Sequence, residues 1–255
     1  MSNIVALANK EVRAYFASPI AYVVLTAFAL VYGFFFINGL SYFQSMSMQA
    51  GMGGGGGPMN VNQQMIRFVL QNIAVVLLFM VPAMTMRAYA EEKKSGTIEL
   101  LITSPLSDFQ ILAGKFLGVL ALYAVLLAIS FVHVALLFLY GKPEWAPILT
   151  AYLGLLLLGG AMMSVGLFAS SLTKNQISAA IVAFSILLMF WIIDWPASFT
   201  PPPFGDLLSY LSLTSHLDDF TKGVIDTKHV IYYLSFITFW LFLTDKAVDS
   251  ERWRG

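Results

Sequence analysis

Cysteine is absent from the 255 residues, so neither a disulfide nor a thiolate metal site is open to this chain. Charge is scarce: Asp, Glu, Lys and Arg make up 11% of the residues, and 14 cationic side chains balance 14 anionic ones. Without net charge there is no global field to gather nucleic acid, and the useful signal is where the charges sit. The scarcity also excludes an ordinary soluble domain, which is about 25% charged and about 45–50% apolar. Here 58% of residues are hydrophobic, and mean hydropathy is +0.78. Such a chain belongs in a bilayer.

Crossing about 30 Å of hydrocarbon takes roughly 20 apolar residues in a helix. Six stretches qualify: Ile20 to Leu40, Phe68 to Met86, Ile111 to Tyr140, Pro147 to Leu172, Ile177 to Ile193 and Val230 to Thr244. Apart from Lys115 near one end of the third, none holds Asp, Glu, Lys or Arg. Each such residue at a helix centre costs about 2.5–3.5 kcal/mol of insertion, so their absence is what insertion demands. With both termini in the cytoplasm, only Arg67, Lys142, Lys222 and Lys228 of the 14 basic residues lie outside; the other ten lie inside. No cleavable signal is expected, because Asn3 to Ser18 is polar and of mixed charge and no small-residue cleavage pattern follows the first apolar run.

Residues 1–18 put Ile4, Val5, Ala8, Val12, Tyr15 and Phe16 on one side of a helical wheel, with Asn9, Lys10 and Arg13 opposite. That pattern predicts a helix lying in the membrane surface. Residues 41–64 contain Gly53 to Gly57 and Pro58, and predict a freely moving external loop. No Lys and Ser/Thr follow those glycines, and Gly114-Lys115-Phe116 lacks both the upstream glycine and the hydroxyl, so no P-loop is present. The chain is expected to carry no ATP site of its own and needs no cofactor. Small residues Gly154, Gly159, Gly160, Ala161, Ser164 and Gly166 give the fourth span a face for close helix packing. Residues 195–229 are expected to be an external helical segment in which Gly205 to Asp226 form one or two external or re-entrant helices.

The longest charged segment, residues 87–110, separates the second and third spans. Ile98, Leu101 and Ile102 share one helical face there, and Glu91, Glu92, Lys93, Lys94 and Glu99 are free to stay in water. Ser95 and Gly96 break the pattern ahead of that face, Ser104-Pro105 ends it, and Ser107 or Asp108 caps the next helix. The run from Glu91 to Leu101, then Thr103-Ser104-Pro105 and Gly114-Lys115-Phe116, resembles the first cytoplasmic loop of ABC-2 type transporter permeases. The stretch from Ser215 to Asp226 resembles the gliding-motility-associated group within them. The resemblance implies an all-α membrane domain over residues 1–255, with an amphipathic elbow helix at residues 1–18 and a coupling helix after the second span. It implies a permease, an exporter, in a bacterial inner membrane. Its implied partners are a pair of ABC ATPase subunits, a second permease copy or related subunit, membrane lipids and an auxiliary extracytoplasmic protein, with no nucleic acid. The coupling residues it implies are Glu91, Glu92, Gly96, Thr97, Ile98, Glu99, Leu101, Ile102 and Pro105, with the turn at Ser170 to Asn175 as a second contact. The alternatives are a non-transporting membrane anchor and an ion-coupled secondary transporter, for which His133 is the sole ionisable group well inside a span.

Three other constellations read as structural. His216, Asp218 and Asp219 lack a second ligand cluster, and are read as helix caps or solvated groups rather than metal ligands. His133 is read as an interhelical hydrogen-bonding residue. Ser164 lacks the Gly-x-Ser-Gly setting and the orienting group of a membrane serine protease.

Overall fold

The computed structural model describes residues 3–51, 60–140 and 143–252, with the side chains of residues 50, 51, 63, 102, 140, 251 and 252 left aside. Every regular element among them is helical: α1 (Asn3–Ala17), α2 (Pro19–Gly51), α3 (Arg67–Thr85, entered through one π-helical turn), α4 (Ala90–Ser95), α5 (Ile98–Ile102) and α6 (Asp108–Tyr140). Then come α7 (Trp145–Ser171), α8 (Gln176–Ile192), α9 (Asp194–Ala197), α10 (Phe204–Leu211), α11 (Leu217–Thr221) and α12 (Thr227–Arg252). Six helices among the described residues are long and apolar enough to cross a membrane, and they match the six stretches marked by hydropathy, none of which overruns its helix by more than one residue.

Helix ends depart from the hydropathy boundaries in two places. The α2 helix continues to Gly51, so the first part of residues 41–64 is helical rather than loop. Gly53 to Gly57 lie outside the described residues. The α12 helix continues to Arg252, eight residues past Thr244. Hydropathy marks where a helix leaves hydrocarbon; a helix ends where its hydrogen-bond ladder is broken, and neither exit carries a proline or glycine until Gly51.

The centre of the bundle is α7, which packs against α3, α6, α8, α11 and α12. Its small residues are the reason. A Cβ on Gly159 would sit 2.3 Å from the Tyr123 ring of α6, one on Gly160 3.1 Å from Ile237 of α12, and one on Gly166 2.0 Å from Thr85 Oγ1 of α3. Tyr123 uses the approach to donate its hydroxyl to Leu155 O at 2.7 Å, which gives the buried phenol a partner within the membrane. At one end of α7, Thr150 Oγ1 donates to Phe220 O of α11. At the other, Ser170 reaches the start of α4. The two ends of α7 therefore mark the two faces of the molecule.

His133 bonds within its own helix, Nδ1 to Ile129 O at 3.1 Å. The interhelical bond read from sequence is replaced by edge-on ring contacts with Tyr32 and Phe36 of α2, with centroids at 5.0 and 5.5 Å. A histidine between aromatic rings needs just one acceptor, and the preceding turn supplies it.

These distances fix an expected order of stability. Gly159→Ala forces Tyr123 out of its bond to Leu155 and costs about 1–3 kcal/mol, the usual range for overpacking. Gly33→Ala, where the nearest atom would be His133 Nε2 at 3.9 Å, is near neutral. Thermal unfolding of the two variants in detergent checks this; equal midpoints would refute the packing assigned to Gly159.

Candidate functional site

The charged segment between α3 and α6 forms two short helices joined at Gly96, whose φ of 75° is the left-handed conformation glycine adopts without strain. Ser95 closes the end of α4 by donating its hydroxyl to Glu91 O at 2.9 Å. At the start of α4, Ser170 of α7 acts as a cap from outside: its Oγ accepts from Tyr89 N and Ala90 N, both at 3.0 Å, and donates to Met86 O. Lys93 of α4, 5% exposed, donates to Ser171 O. The α4 helix is thus bound to the last turn of α7. Ser170 and Ser171 are the last two residues of α7, and only residues 172–175 form the turn after it.

A second anchorage comes from Lys115 of α6, 1% exposed. Its ammonium donates to Ala88 O at 2.6 Å, pairs with Glu92 Oε2 at 2.8 Å and with Glu11 Oε1 at 3.2 Å, and lies 5.0 Å from the Tyr89 ring centroid. Lys10 adds an outer pair to Glu92 at 3.4 Å. One buried cation therefore ties together α1, α4 and α6. Burial of a single charge without partners is prohibitive, and this one has two carboxylates and a carbonyl. The α1 helix can lie this close because a Cβ on Gly114 would be 2.8 Å from Leu7, and one on Gly118 2.5 Å from Glu11. Beside the cluster Tyr15 donates to Met84 O at 2.8 Å. Burial, with Glu11 alongside, pushes its phenol far above the ordinary value, so it remains a donor. Between α1 and α4 is a crevice of about 350 Å³ whose polar walls are Lys10, Glu11, Arg87, Glu91 and Glu92.

The coupling residues inferred from sequence divide into two groups. Glu91 pairs with Arg87 at 2.7 Å, and Glu92 and Lys93 turn inward, away from the water expected of them. Periodicity identified an apolar face, and the protein covers part of it: Ile98 and Leu101 are half-buried and line a small cleft with Tyr89, Ile111, Leu112 and Val248. Ile102 closes α5, and its side chain is outside the described set. Facing out are Glu99, Thr97, Gly96, Pro105 and Leu100, which is 72% exposed. Leu100 was missed because it lies off the apolar face of the wheel. Ser107 settles the capping choice: its Oγ accepts from Gln110 N while Gln110 Oε1 accepts from Ser107 N, a capping box at the start of α6.

The family model for ABC-2 family transporter proteins matches residues 5–243. The chain belongs to the ABC-2 transporter family. It is 26% identical over 154 residues to the "Probable multidrug ABC transporter permease YbhR" of Escherichia coli strain K12. It is equally similar to the protein of that name from Escherichia coli O157:H7. The match covers 60% of this ABC-2 chain and 41% of that relative, so the chain spans about two fifths of the length of the curated relatives it matches.

Sequence reading of this ABC-2 protein also missed Glu11, Leu7 and the Gly114-x-x-x-Gly118 pair. The glycine spacing was available as a signal, since small residues four apart mark close helix approach. The Lys115–Glu11 pairing was not, since its members are 104 residues apart.

At the opposite end, His216, Asp218 and Asp219 have other occupations. Asp218 accepts from Arg67 at the start of α3 and pairs with Lys222, while Asp219 pairs with His229. No group of three His, Cys, Asp or Glu placed to hold a metal occurs among the described residues.

Removing Lys115 strands two carboxylates. Lys115→Met is expected to destabilise the fold by about 3–5 kcal/mol, as when one partner of a buried ion pair is deleted. The triple change Lys115→Met, Glu11→Gln, Glu92→Gln recovers part of that loss. Denaturation midpoints in detergent measure both; a triple variant no better than the single one would refute the cluster.

Proposed function

We propose that this chain is the membrane-spanning permease subunit of an ATP-driven ABC-2 exporter, energised by a separate pair of ATPase subunits. The observation that carries the reading is the division of labour in residues 87–110: α4 is fastened to α1, α6 and α7, while Leu100, Glu99 and Thr97 of the α5 arm are left facing out. A helix pair built only to close a loop has no need of an exposed leucine beside a capped, ion-paired anchor. Family membership over residues 5–243 supports the same reading.

In this mechanism both termini and α4–α5 face the cytoplasm, with α1 as the elbow helix. A second permease copy or related subunit completes the path. ATP-driven closure of the ATPase pair presses on α5, and the Lys115 cluster passes the displacement to α1 and α6. The resulting rigid-body movement of α2, α3 and α8 changes access along the seam between permeases. Such coupling requires that the ATPases bind the two states unequally. Lys94 and Lys174 line a shallow groove of about 560 Å³ beside the N-terminus of α8, and serve as a second, cationic contact. The substrate class that fits an apolar seam is amphipathic or lipid-like, in keeping with the multidrug designation of the E. coli relative.

Leu100→Asp and Glu99→Lys alter exposed side chains and leave the bundle intact. Together they are expected to weaken binding of the cognate ATPase at least tenfold, equivalent to about 1.4 kcal/mol, and to abolish ATP-dependent transport in proteoliposomes. Undiminished capture of the ATPase with full transport would sink this assignment. Lys115→Arg, which retains the buried charge, is expected to keep both activities.

A further inference from the structure

At the end of the bundle opposite α4–α5, a line of hydrogen bonds joins Tyr210, His216, His229 and Asp219. His216 Nε2 is 2.8 Å from Tyr210 O, His216 Nδ1 is 2.6 Å from His229 Nδ1, and His229 Nε2 is 2.8 Å from Asp219 Oδ2. Both imidazoles are buried, at 4% and 6% exposure. Each link needs one hydrogen. The Tyr210 carbonyl has none to give, so His216 must carry Nε2–H. The middle link needs one Nδ1–H, and the link to Asp219 one more hydrogen. Three are required, and two neutral imidazoles bring two. If the carboxyl rather than a ring holds the third, the sum is unchanged.

We propose that His216 and His229 form a proton-binding site, holding one proton beyond two neutral imidazoles and an ionised Asp219. The surrounding charges suit a single extra proton. On α11, Asp218 is taken by Arg67 of α3 and by Lys222, and ahead of α12 Asp226 pairs with Lys228. Asp219, whose other oxygen is 3.5 Å from Lys222, is left facing the pair. Its bond to His229 holds its carboxyl below the ordinary value. The remaining neighbours are aromatic: Tyr232 stacks on His216 at 3.8 Å between centroids, with Tyr210 and Tyr233 edge-on. A second proton is opposed. Burial lowers the affinity of His216 against the pull of the Tyr210 carbonyl, and His229 lowers it further.

The shared proton fastens α10 and α11 to the first turn of α12: its loss at high pH leaves either the middle link or the link to Asp219 without a hydrogen, and a second gain at low pH sets two N–H groups against each other at the middle link. This inference stands independently of the transport reading. The chain has three histidines, so ¹⁵N-histidine NMR of the full chain in nanodiscs, with His133→Gln for assignment, resolves the pair. At pH about 7.5, a unit above the ordinary imidazole value of about 6.5, the expected count is three. Those are three protonated ring nitrogens of four, or two with an infrared carboxylic acid band that disappears in Asp219→Asn. One N–H per ring with Asp219 ionised, or all four nitrogens protonated, would overturn the proposal. Asp219→Asn, which keeps an acceptor and removes the charge, is expected to shift release of the proton below pH 7.5; an unshifted release also overturns it.

Discussion

An ammonium group buried in a membrane protein must be answered where it stands, because water cannot reach it. Lys115 imposes that condition on this chain. Its three oxygens come from Glu11 of α1, Glu92 of α4 and Ala88 just ahead of α4. None can withdraw while the others remain without leaving a charge short of a partner. A displacement of α4 is therefore opposed unless α1 and α6 move with it. Such clusters add little to net stability compared with an apolar core, and they are strict about geometry. The close seat of α1 on Gly114 and Gly118 belongs to the same constraint, since a longer approach would carry Glu11 out of reach.

The second continuous element is α7. Small residues bring α3, α6 and α12 against it, so its neighbours are held by backbone-level contact rather than by long side chains. Its last turn supplies Ser170 and Ser171 to α4, and its first turns receive Phe220 of α11 against Gly154. The residues after Phe220 lead directly to His229. A rigid helix thus has the anchored arm at one end and the histidine pair at the other. Neither end can tilt far without disturbing the packing that fixes the opposite end.

The spans were legible in the sequence because insertion is a local, additive property of about 20 residues. Helix ends were less so: α2 and α12 continue beyond the apolar runs because the backbone ladder is indifferent to where hydrocarbon stops. Ser107 and Gly96 were readable because each acts within a few residues of its own position, and Asn175, read only as part of a turn, caps α8 by accepting from Ile177 N on the same local scale. Periodicity could say that Ile98 and Leu101 share a face, yet not whose surface would cover it; the answer, Val248 and Leu112, depends on the closed bundle. Lys93 and Glu92 looked like solvated charges because their partners, Ser171 and Lys115, are not neighbours in sequence. His216 looked like one of three nearby polar groups, and its decisive partner, His229, lay at the last position of the same external segment, where nothing in the local pattern marked it.

The placement of the apolar face changes what α5 can be. With Ile98 and Leu101 half-buried against the chain's own helices, the outward surface is one leucine among Thr97, Glu99 and Thr103. A contact built on it is small and largely polar, and brings limited binding energy by itself. What it has is position. In the proposed coupling, force applied at Leu100 acts on a five-residue helix whose inner face is half-buried, and reaches α4 through Thr97 and the left-handed Gly96 turn. Thr97 bonds to Ser95 Oγ at 2.9 Å across that turn, so the two short helices are joined by more than the chain itself. In the coupling proposed above, a modest external contact on a braced arm transmits displacement that a larger contact on an unbraced loop would dissipate. The buried cation at the root of the arm is what braces it.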